Sequence, residues 1–221
     1  MNRVGIIVSG GFIDEAFALE QFEKIKPEIV IGVDRGLHFL YYNQVMPTYI
    51  VGDFDSVAPE VIAYYREETK VPIREFNPVK DASDTEIAVR LAIELGVKEL
   101  WLLGATGTRL DHAWANVQVL RIAHDAGVKA YIVDAYNRIS LIEREACLSK
   151  QEAFGPYFSV FPLGGIVTDF SIKGAKYPLE NHTLRPDGSL CVSNQIQEDE
   201  VKITFPEGTV ILMETRDADT K

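Results

Sequence analysis

Along the first 135 or so residues, short apolar runs alternate with longer amphipathic ones. Val4–Val8, Ile29–Val33, Tyr49–Val51, Val71–Phe76, Leu100–Leu103 and Ala130–Val133 are short and β-rich, and most are followed by Gly, Asp or Asn, which predicts strands. Asp14–Ile25, Gly36–Asn43, Pro59–Glu68, Asp84–Leu95 and Asp111–Ala126 have helical spacing; in the fourth, Ile87, Leu91, Ala92 and Leu95 share a face and Gly96 supplies a stop. Strand and helix alternating in this way predict an α/β fold, a mostly parallel sheet flanked by helices. After Tyr136-Asn137-Arg138 the helical period is lost. Tyr157–Phe161, Val167–Ile172, Leu190–Val192, Val201–Phe205 and Thr209–Met213 then read as strands separated by Gly- and Pro-containing turns, which predicts a small antiparallel β-sandwich or barrel. The expected organisation is an α/β domain over residues 1–136 and a β-sandwich domain over 137–221, with only Asp217–Lys221 frayed.

Composition narrows the partners. With 221 residues and 47% hydrophobic content the chain can bury a core, and its formal charge of −11 argues against nucleic acid or an anionic membrane as the main partner. The apolar stretch at the N-terminus is too short for a signal peptide, and no run approaches the roughly 20 apolar residues of a membrane span, so a cytoplasmic location is expected. Cys147 and Cys191 match no metal spacing and are expected to be reduced. His38, His124 and His182 read as ordinary surface or core residues.

The chemistry sits in polar clusters at predicted strand ends, where ligands bind in sheets of this kind. Ser9-Gly10-Gly11 is either a short anion-binding nest or a plain tight turn, and Asp34-Arg35-Gly36 falls at the end of the second strand. Gly52-Asp53-Phe54-Asp55-Ser56 carries two carboxylates at i and i+2, which project to one side if the strand is still extended there; the bland alternative is that Asp55 or Ser56 caps the helix near Pro59. In Lys80-Asp81-Ala82-Ser83-Asp84, Ser83 or Asp84 can cap the next helix, with Glu86 near the capping-box position. Gly104 to His112 follows a strand and precedes a helix. Its Gly/Thr-rich turn through Thr106 and Gly107 can point N–H groups at phosphate, Arg109 adds charge, and Asp111 has an equal claim as an N-cap. Repeated Asp at strand ends is what a Mg²⁺-dependent phosphoryl-transfer site needs, because Mg²⁺ is held by one or two carboxylates together with substrate phosphates and waters.

Taken in order, Asp34-Arg35-Gly36, Gly52 to Ser56, Asp81 to Glu86, Gly107 to His112, Tyr177-Pro178-Leu179 and Ser193-Asn194 resemble thiamine pyrophosphokinases over nearly the whole chain. The resemblance implies an α/β nucleotide-binding domain followed by a β-sandwich, a homodimer with thiamine bound between subunits, and transfer of a diphosphate from ATP to the thiamine hydroxyl. It implies Mg²⁺ at Asp53, Asp55, Asp81 and Asp84, with Asp55 or Asp84 taking the hydroxyl proton. Arg109 and Asp111 would act on the ATP side, where Ser9, Gly10, Gly11, Asp34, Arg35, Gly36, Thr106, Gly107 and His112 would line the nucleotide. Lys80, Tyr177, Ser193 and Asn194 would hold thiamine, Tyr177 by stacking. The chain departs from the family's habits at Cys191, where Gly is common, and at Gln195, where an acid is often seen. Two other readings fit the bare residues: a metal-dependent nucleotide or diphosphate hydrolase, and a non-catalytic nucleotide-binding module.

Overall fold

The computed structural model describes residues 3–75 and 81–218, which fall into two compact units divided between Ala135 and Tyr136. In the first, β1 (Val4–Val8), β2 (Ile29–Val33), β3 (Tyr49–Gly52), β4 (Ile73–Glu75), β5 (Glu99–Leu103) and β6 (Lys129–Val133) lie in the order β4-β3-β2-β1-β5-β6, every described pair parallel. The helices between them are α1 (Glu15–Ile25), α2 (Gly36–Tyr42), α3 (Pro59–Glu67), α4 (Asp84–Glu94) and α5 (Leu110–Asp125). Sequence order runs outward from β1 through β4 on one side, then resumes with β5 on the other. The carboxyl ends of β1 and β5 therefore flank the topological switch point, where an open α/β sheet leaves a crevice for ligands.

Strand alternation divides the apolar residues between the two faces. Ile6, Val8, Val30 and Ile50 pack with Phe17 and Ala18 of α1, Leu37 and Leu40 of α2 and Val61 and Tyr65 of α3. Ile7, Ile31 and Val51 alternate with them, and α4 lies on β1, β2 and β3 beside α5. Asp14 caps α1 by accepting from Phe17 N at 2.9 Å, and Ser83 caps α4 by accepting from Glu86 N at 3.2 Å. Asp111 is not a cap: Arg109 occupies that position of α5 without a side-chain bond. Nor does Asp55 or Ser56 cap α3, whose cap residue Ala58 donates its N–H to His38 Nε2 at 2.9 Å instead.

The second unit is antiparallel throughout. Its strands are β7 (Asn137–Ile142), β8 (Glu145–Ser149), β9 (Tyr157–Leu163), β10 (Val167–Lys173), β11 (Leu179–Leu184), β12 (Glu200–Thr204) and β13 (Thr209–Thr215). β13 lies between β7 and β9, and a four-stranded sheet runs β11-β10-β12-β8. Phe158, Val160, Val210 and Leu212 from the first set share one core with Leu148, Phe170, Ile172, Val201 and Ile203 from the second. Against the expected strands there are three differences. Leu190–Val192 is a turn, in which Cys191 is buried while Leu190 and Val192 are exposed, a local alternation that imitates a strand. β11 and the β7/β8 pair carry too many polar residues to show the strand pattern. Arg138 on β7, for example, makes a two-point ion pair with the buried Glu214 of β13, at 2.6 and 2.7 Å.

Phe170 is fully buried and its ring centroid lies 5.8 Å from that of Phe205. Phe170→Ala is expected to cost the second unit about 3–5 kcal/mol, cavity included. A guanidinium midpoint corresponding to less than about 1 kcal/mol would show that this core collapses around the gap.

Candidate active site

The loops after β1 and β5 are laced together. Ser9 N donates to Leu103 O, Gly11 N to Gly104 O and Phe12 N to Thr106 O, all within 2.8–2.9 Å. A Cβ on Gly11 would sit 2.1 Å from Thr106 O, so the approach requires glycine. Ser9-Gly10-Gly11 thus spends the N–H groups of Ser9 and Gly11 on the neighbouring loop. The Ser9 side chain is buried and meets Thr85 Oγ1 at 3.0 Å. On the β5 side, Thr106 Oγ1 donates to Asp134 Oδ2 at 2.7 Å, and the buried Asn116 of α5 donates to Ala105 O at 2.7 Å. The Gly104–Gly107 turn is therefore held from β1, from α5 and from the end of β6.

The carboxylates converge one strand further over. Asp34 ends β2 with a left-handed φ of 42°, and its Oδ1 accepts from Phe54 N at 3.4 Å. A Cβ on Gly52 would fall 2.0 Å from that same oxygen, so the β3 end passes Asp34 only as glycine. Burial, the charge and hydrogen bond of Asp84 and the charge of Asp53 raise the Asp34 carboxyl to about 7, opposed only by its bond from Phe54. Asp34, Asp53 and Asp84 are thus one electrostatic group. The chain is not extended through Asp53–Asp55: Phe54 is buried at φ 62°, and Asp53 Oδ1 accepts from Asp55 N at 3.2 Å. Asp55 and Asp81 are exposed in their turns. Lys80 lies outside the described residues.

Arg109 is exposed and donates to both Asp111 oxygens, at 2.6 and 3.2 Å. That fork, with the bond from His112 N, holds the Asp111 carboxyl down at about 2, so it stays ionised and takes no proton near neutrality. Arg35, Gly107 and His112 are exposed and Gly10 half-buried, while Gly36 is packed beneath Val8 O. Phe12 on the loop after β1, and Leu110 and Trp114 in the first turns of α5, are exposed apolar side chains, at 62%, 80% and 54% accessibility. Clefts of about 390 Å³ beside Ser171 and Asn181 and about 470 Å³ beside Tyr41, Tyr42, Tyr64 and Tyr65 involve none of these residues. The carboxylate edge is marked by its chemistry, not by its depth.

In the second unit, Asn194 is buried and its amide is fully engaged. It accepts from Tyr177 N and Gln195 N and donates to Tyr177 O at 2.8 Å. Asn194 therefore positions the Tyr177 backbone. The Tyr177 ring is 59% exposed, with the Lys176 ammonium 5.5 Å from its centroid. Ser193 sits exposed at φ 57° with its N–H on Ser159 Oγ at 3.0 Å.

Two family models match, the thiamin pyrophosphokinase catalytic domain over residues 23–132 and the thiamin pyrophosphokinase vitamin B1 binding domain over 145–210. The chain belongs to the thiamine pyrophosphokinase family. It is 27% identical to the thiamine pyrophosphokinase of Bacillus subtilis over 85% of this chain and 87% of that one. The crystal structure of a B. subtilis thiamine pyrophosphokinase superposes with a TM-score of 0.86 at 26% identity, covering 97% of this chain and 100% of that one. The corresponding Geobacillus thermodenitrificans structure gives 0.83 at 28% identity over 99% and 100%. The α/β sheet followed by a smaller antiparallel unit is thus the family's architecture.

Among the described residues no three Asp, Glu, His or Cys side chains form a ready-made metal cage. The donor set nonetheless suits Mg²⁺, which takes one or two carboxylates and completes its shell with phosphate and water. Asp34, Asp53 and Asp84 concentrate negative charge, with Asp34 partly desolvated, and a divalent cation would relieve it. Asp34 is expected on the nucleotide side; the register Val33↔Val51 aligns the ends of β2 and β3 and brings it beside Asp53 as well. Thr85 and Asn116 carry no motif because each is a lone hydroxyl or amide inside a helix, and Asp134 is a single acid after β6 with no second acid beside it in the sequence.

The raised Asp34 makes a signed prediction. Between its ordinary value of 3.8 and about 7 the folded state keeps a proton that the unfolded chain has lost, so this group's contribution to stability falls as pH rises through that window. Asp34→Asn copies the protonated form and tolerates the left-handed φ. The cation-free variant is expected to match wild type near pH 4 and exceed it at pH 8 by about 1 kcal/mol, after discount for a partly exposed group. Parallel urea melts at the two pH values check it; an identical pH dependence in both proteins would remove the charge crowding.

Proposed function

We propose that this chain catalyses Mg²⁺-dependent transfer of the β,γ-diphosphate of ATP to the hydroxyl of thiamine, giving thiamine diphosphate and AMP. The observation that supports it is the Asp34–Asp53–Asp84 group at the carboxyl ends of β2 and β3, on the same sheet edge as the Gly104–Arg109 turn after β5, in a chain from this family. The hydroxyl oxygen forms a bond to the β-phosphorus in line, and the bond from that phosphorus to the bridging oxygen of AMP breaks. Such transfer depends on positioning and on neutralising charge.

Asp53 and Asp84, with Asp34 behind them, would hold Mg²⁺, which when bound neutralises phosphate oxygens. Asp55 or Asp84 takes the hydroxyl proton in this reading, whereas Asp111 is tied to Arg109. Arg109 is carried on a surface ion pair that solvent screens, so exchanging Asp111 for a phosphate costs little. Its planar fork then grips two phosphate oxygens. In the second unit the exposed Tyr177 face already carries a cation, Lys176, where the thiazolium of thiamine would lie. Ser193 supplies a free edge for its ring nitrogens, and Asn194 acts by fixing Tyr177. A homodimer with a shared site completes the proposal. The exposed Phe12, Leu110 and Trp114 are what a partner subunit would cover.

Incubation with ATP and Mg²⁺, with and without thiamine, tests the reaction. AMP and thiamine diphosphate are expected in equal amounts and only with thiamine; AMP or phosphate from ATP alone would mean a hydrolase, and no turnover a binding module. EDTA is expected to abolish product. Asp53→Asn is expected to lose more than about tenfold in turnover, roughly 1.4 kcal/mol of barrier.

Tyr177→Ala is expected to raise the thiamine KM several-fold with the ATP KM unchanged. Mixing it with Asp53→Asn separates shared from private sites. Mixed dimers should recover part of the activity, whereas no recovery despite demonstrated subunit exchange, or a monomer by light scattering, would remove the shared site.

A further inference from the structure

Ser9 and Thr85 are 76 residues apart, yet their hydroxyl oxygens meet at 3.0 Å with the two residues 3% and 8% exposed. A neutral pair of this kind contributes only about 1 kcal/mol to stability. Its placement is more telling. Ser9 ends β1 at the switch point, and its N–H is already fixed to Leu103 O of β5 at 2.8 Å. Thr85 is the second residue of α4 and follows Asp84, whose carboxyl is hydrogen-bonded to Asp34. Among the described residues the Ser83 side chain bonds within its own helix, to Glu86 N, which shapes the start of α4. The packing of α4 on β1, β2 and β3 places the helix as a whole, and the Ser9–Thr85 contact ties its first turn to the end of β1, because one partner follows the central strand and the other adjoins a carboxylate.

We propose that the Ser9–Thr85 hydroxyl pair is a positioning element that sets the place of Asp84 relative to Asp34 and Asp53, and so the cation preference of the site. This rests on the cation-dependent reading above. The side chain of Ser9 then serves the metal carboxylates from within the fold, not the nucleotide. The chemistry is specific about which ion suffers when the tie is cut. Mg²⁺ demands near-ideal octahedral geometry at about 2.0–2.1 Å, whereas Ca²⁺ accepts longer bonds and irregular shells. A loosened Asp84 is therefore a handicap for Mg²⁺ and nearly neutral for Ca²⁺.

The test uses Thr85→Val, which removes the hydroxyl at constant volume, Ser9→Ala, and Thr85→Ser, which keeps the hydroxyl. Binding of Mn²⁺ to the full chain is followed by the loss of the free-ion electron spin resonance signal, and Mg²⁺ and Ca²⁺ are titrated as competitors. In Thr85→Val and Ser9→Ala, Mg²⁺ affinity is expected to fall roughly three- to tenfold and Ca²⁺ affinity less than twofold. Thr85→Ser should restore the wild-type ratio, and the Mg²⁺ concentration for half-maximal turnover should move in parallel with the thiamine KM unchanged. Equal losses for both ions, or an unchanged Mg²⁺ affinity in a folded variant, would overturn the positioning role. If Thr85→Val does not fold, Ser9→Ala carries the same comparison. A wild-type chain that binds none of the three ions would remove the cation reading itself, a result distinguishable because it appears before any substitution is made.

Discussion

Three carboxylates held at one edge of a sheet repel one another, and the architecture of the first unit follows from keeping them there. Left to itself the group would spread into water or bind protons, and Asp34 does the latter, its carboxyl lifted to about 7 by burial and by Asp84 and Asp53. The backbone absorbs part of the cost. Asp34 and the bulky Phe54 both take left-handed dihedrals, at φ 42° and 62°, and such conformations persist only where the surroundings over-determine them. The surroundings here are identifiable. Gly52 leaves room for the Asp34 oxygen, Phe54 is buried with the Arg66 guanidinium 5.8 Å from its ring centroid, and His38 holds the Ala58 N–H at the far end of the loop. Strain at a cluster of like charges is consistent with a site shaped for a state in which a cation is present.

The same logic separates the residues that bind from those that brace. Glycine-rich turns after β-strands invite an anion-nest reading, but Gly11 and Phe12 give their N–H groups to carbonyls of the next loop. What those bonds accomplish is rigidity, since they fix the Gly104–Gly107 turn against β1 while Thr106–Asp134 and Asn116–Ala105 fix it from the other sides. Preorganised donors stabilise transferred charge without reorganising during the reaction. In the proposed reaction such bracing would serve the chemistry, although none of the braces need touch a substrate.

The elements of the first unit were legible in the sequence because its central strands β1, β2 and β3 are buried on both faces and read as unbroken apolar runs, and its helices carry an apolar stripe; the edge strand β4, Ile-Arg-Glu, is largely exposed. The second unit was less legible. β11 reads Leu-Glu-Asn-His-Thr-Leu, and its pairing with β10 has register shifts, so its periodicity is broken in the sequence as well as in space. Leu190–Val192 alternates like a strand while being a turn. Within the site, the acidic clusters were visible as motifs but their grouping was not. That Asp34 joins Asp53 and Asp84 depends on which strands are neighbours, and that Asn194 braces Tyr177 depends on an isolated bridge between Phe158 and Asn194. Spacing along a chain encodes neither.

The two units face opposite electrostatic problems on a chain of net charge −11. Under the proposed reaction a polyphosphate approaching the first unit would meet an acidic surface, and would need a cation at the carboxylates and a guanidinium to hand; the exposed Arg109–Asp111 pair keeps a guanidinium unburied. An organic cation approaching the second unit needs no such exception. The general field attracts it, and the exposed Tyr177 ring offers a face already shown by Lys176 to accept positive charge. Lys176 is also the residue that would have to yield to a cationic ligand on that face. Its flexible stem and its bond to Gln195 Oε1 at 3.3 Å give it an alternative place, so a ring could displace the ammonium without leaving a charge unsolvated. Gln195 would make that exchange easier, because a neutral amide holds the lysine less firmly than a carboxylate would.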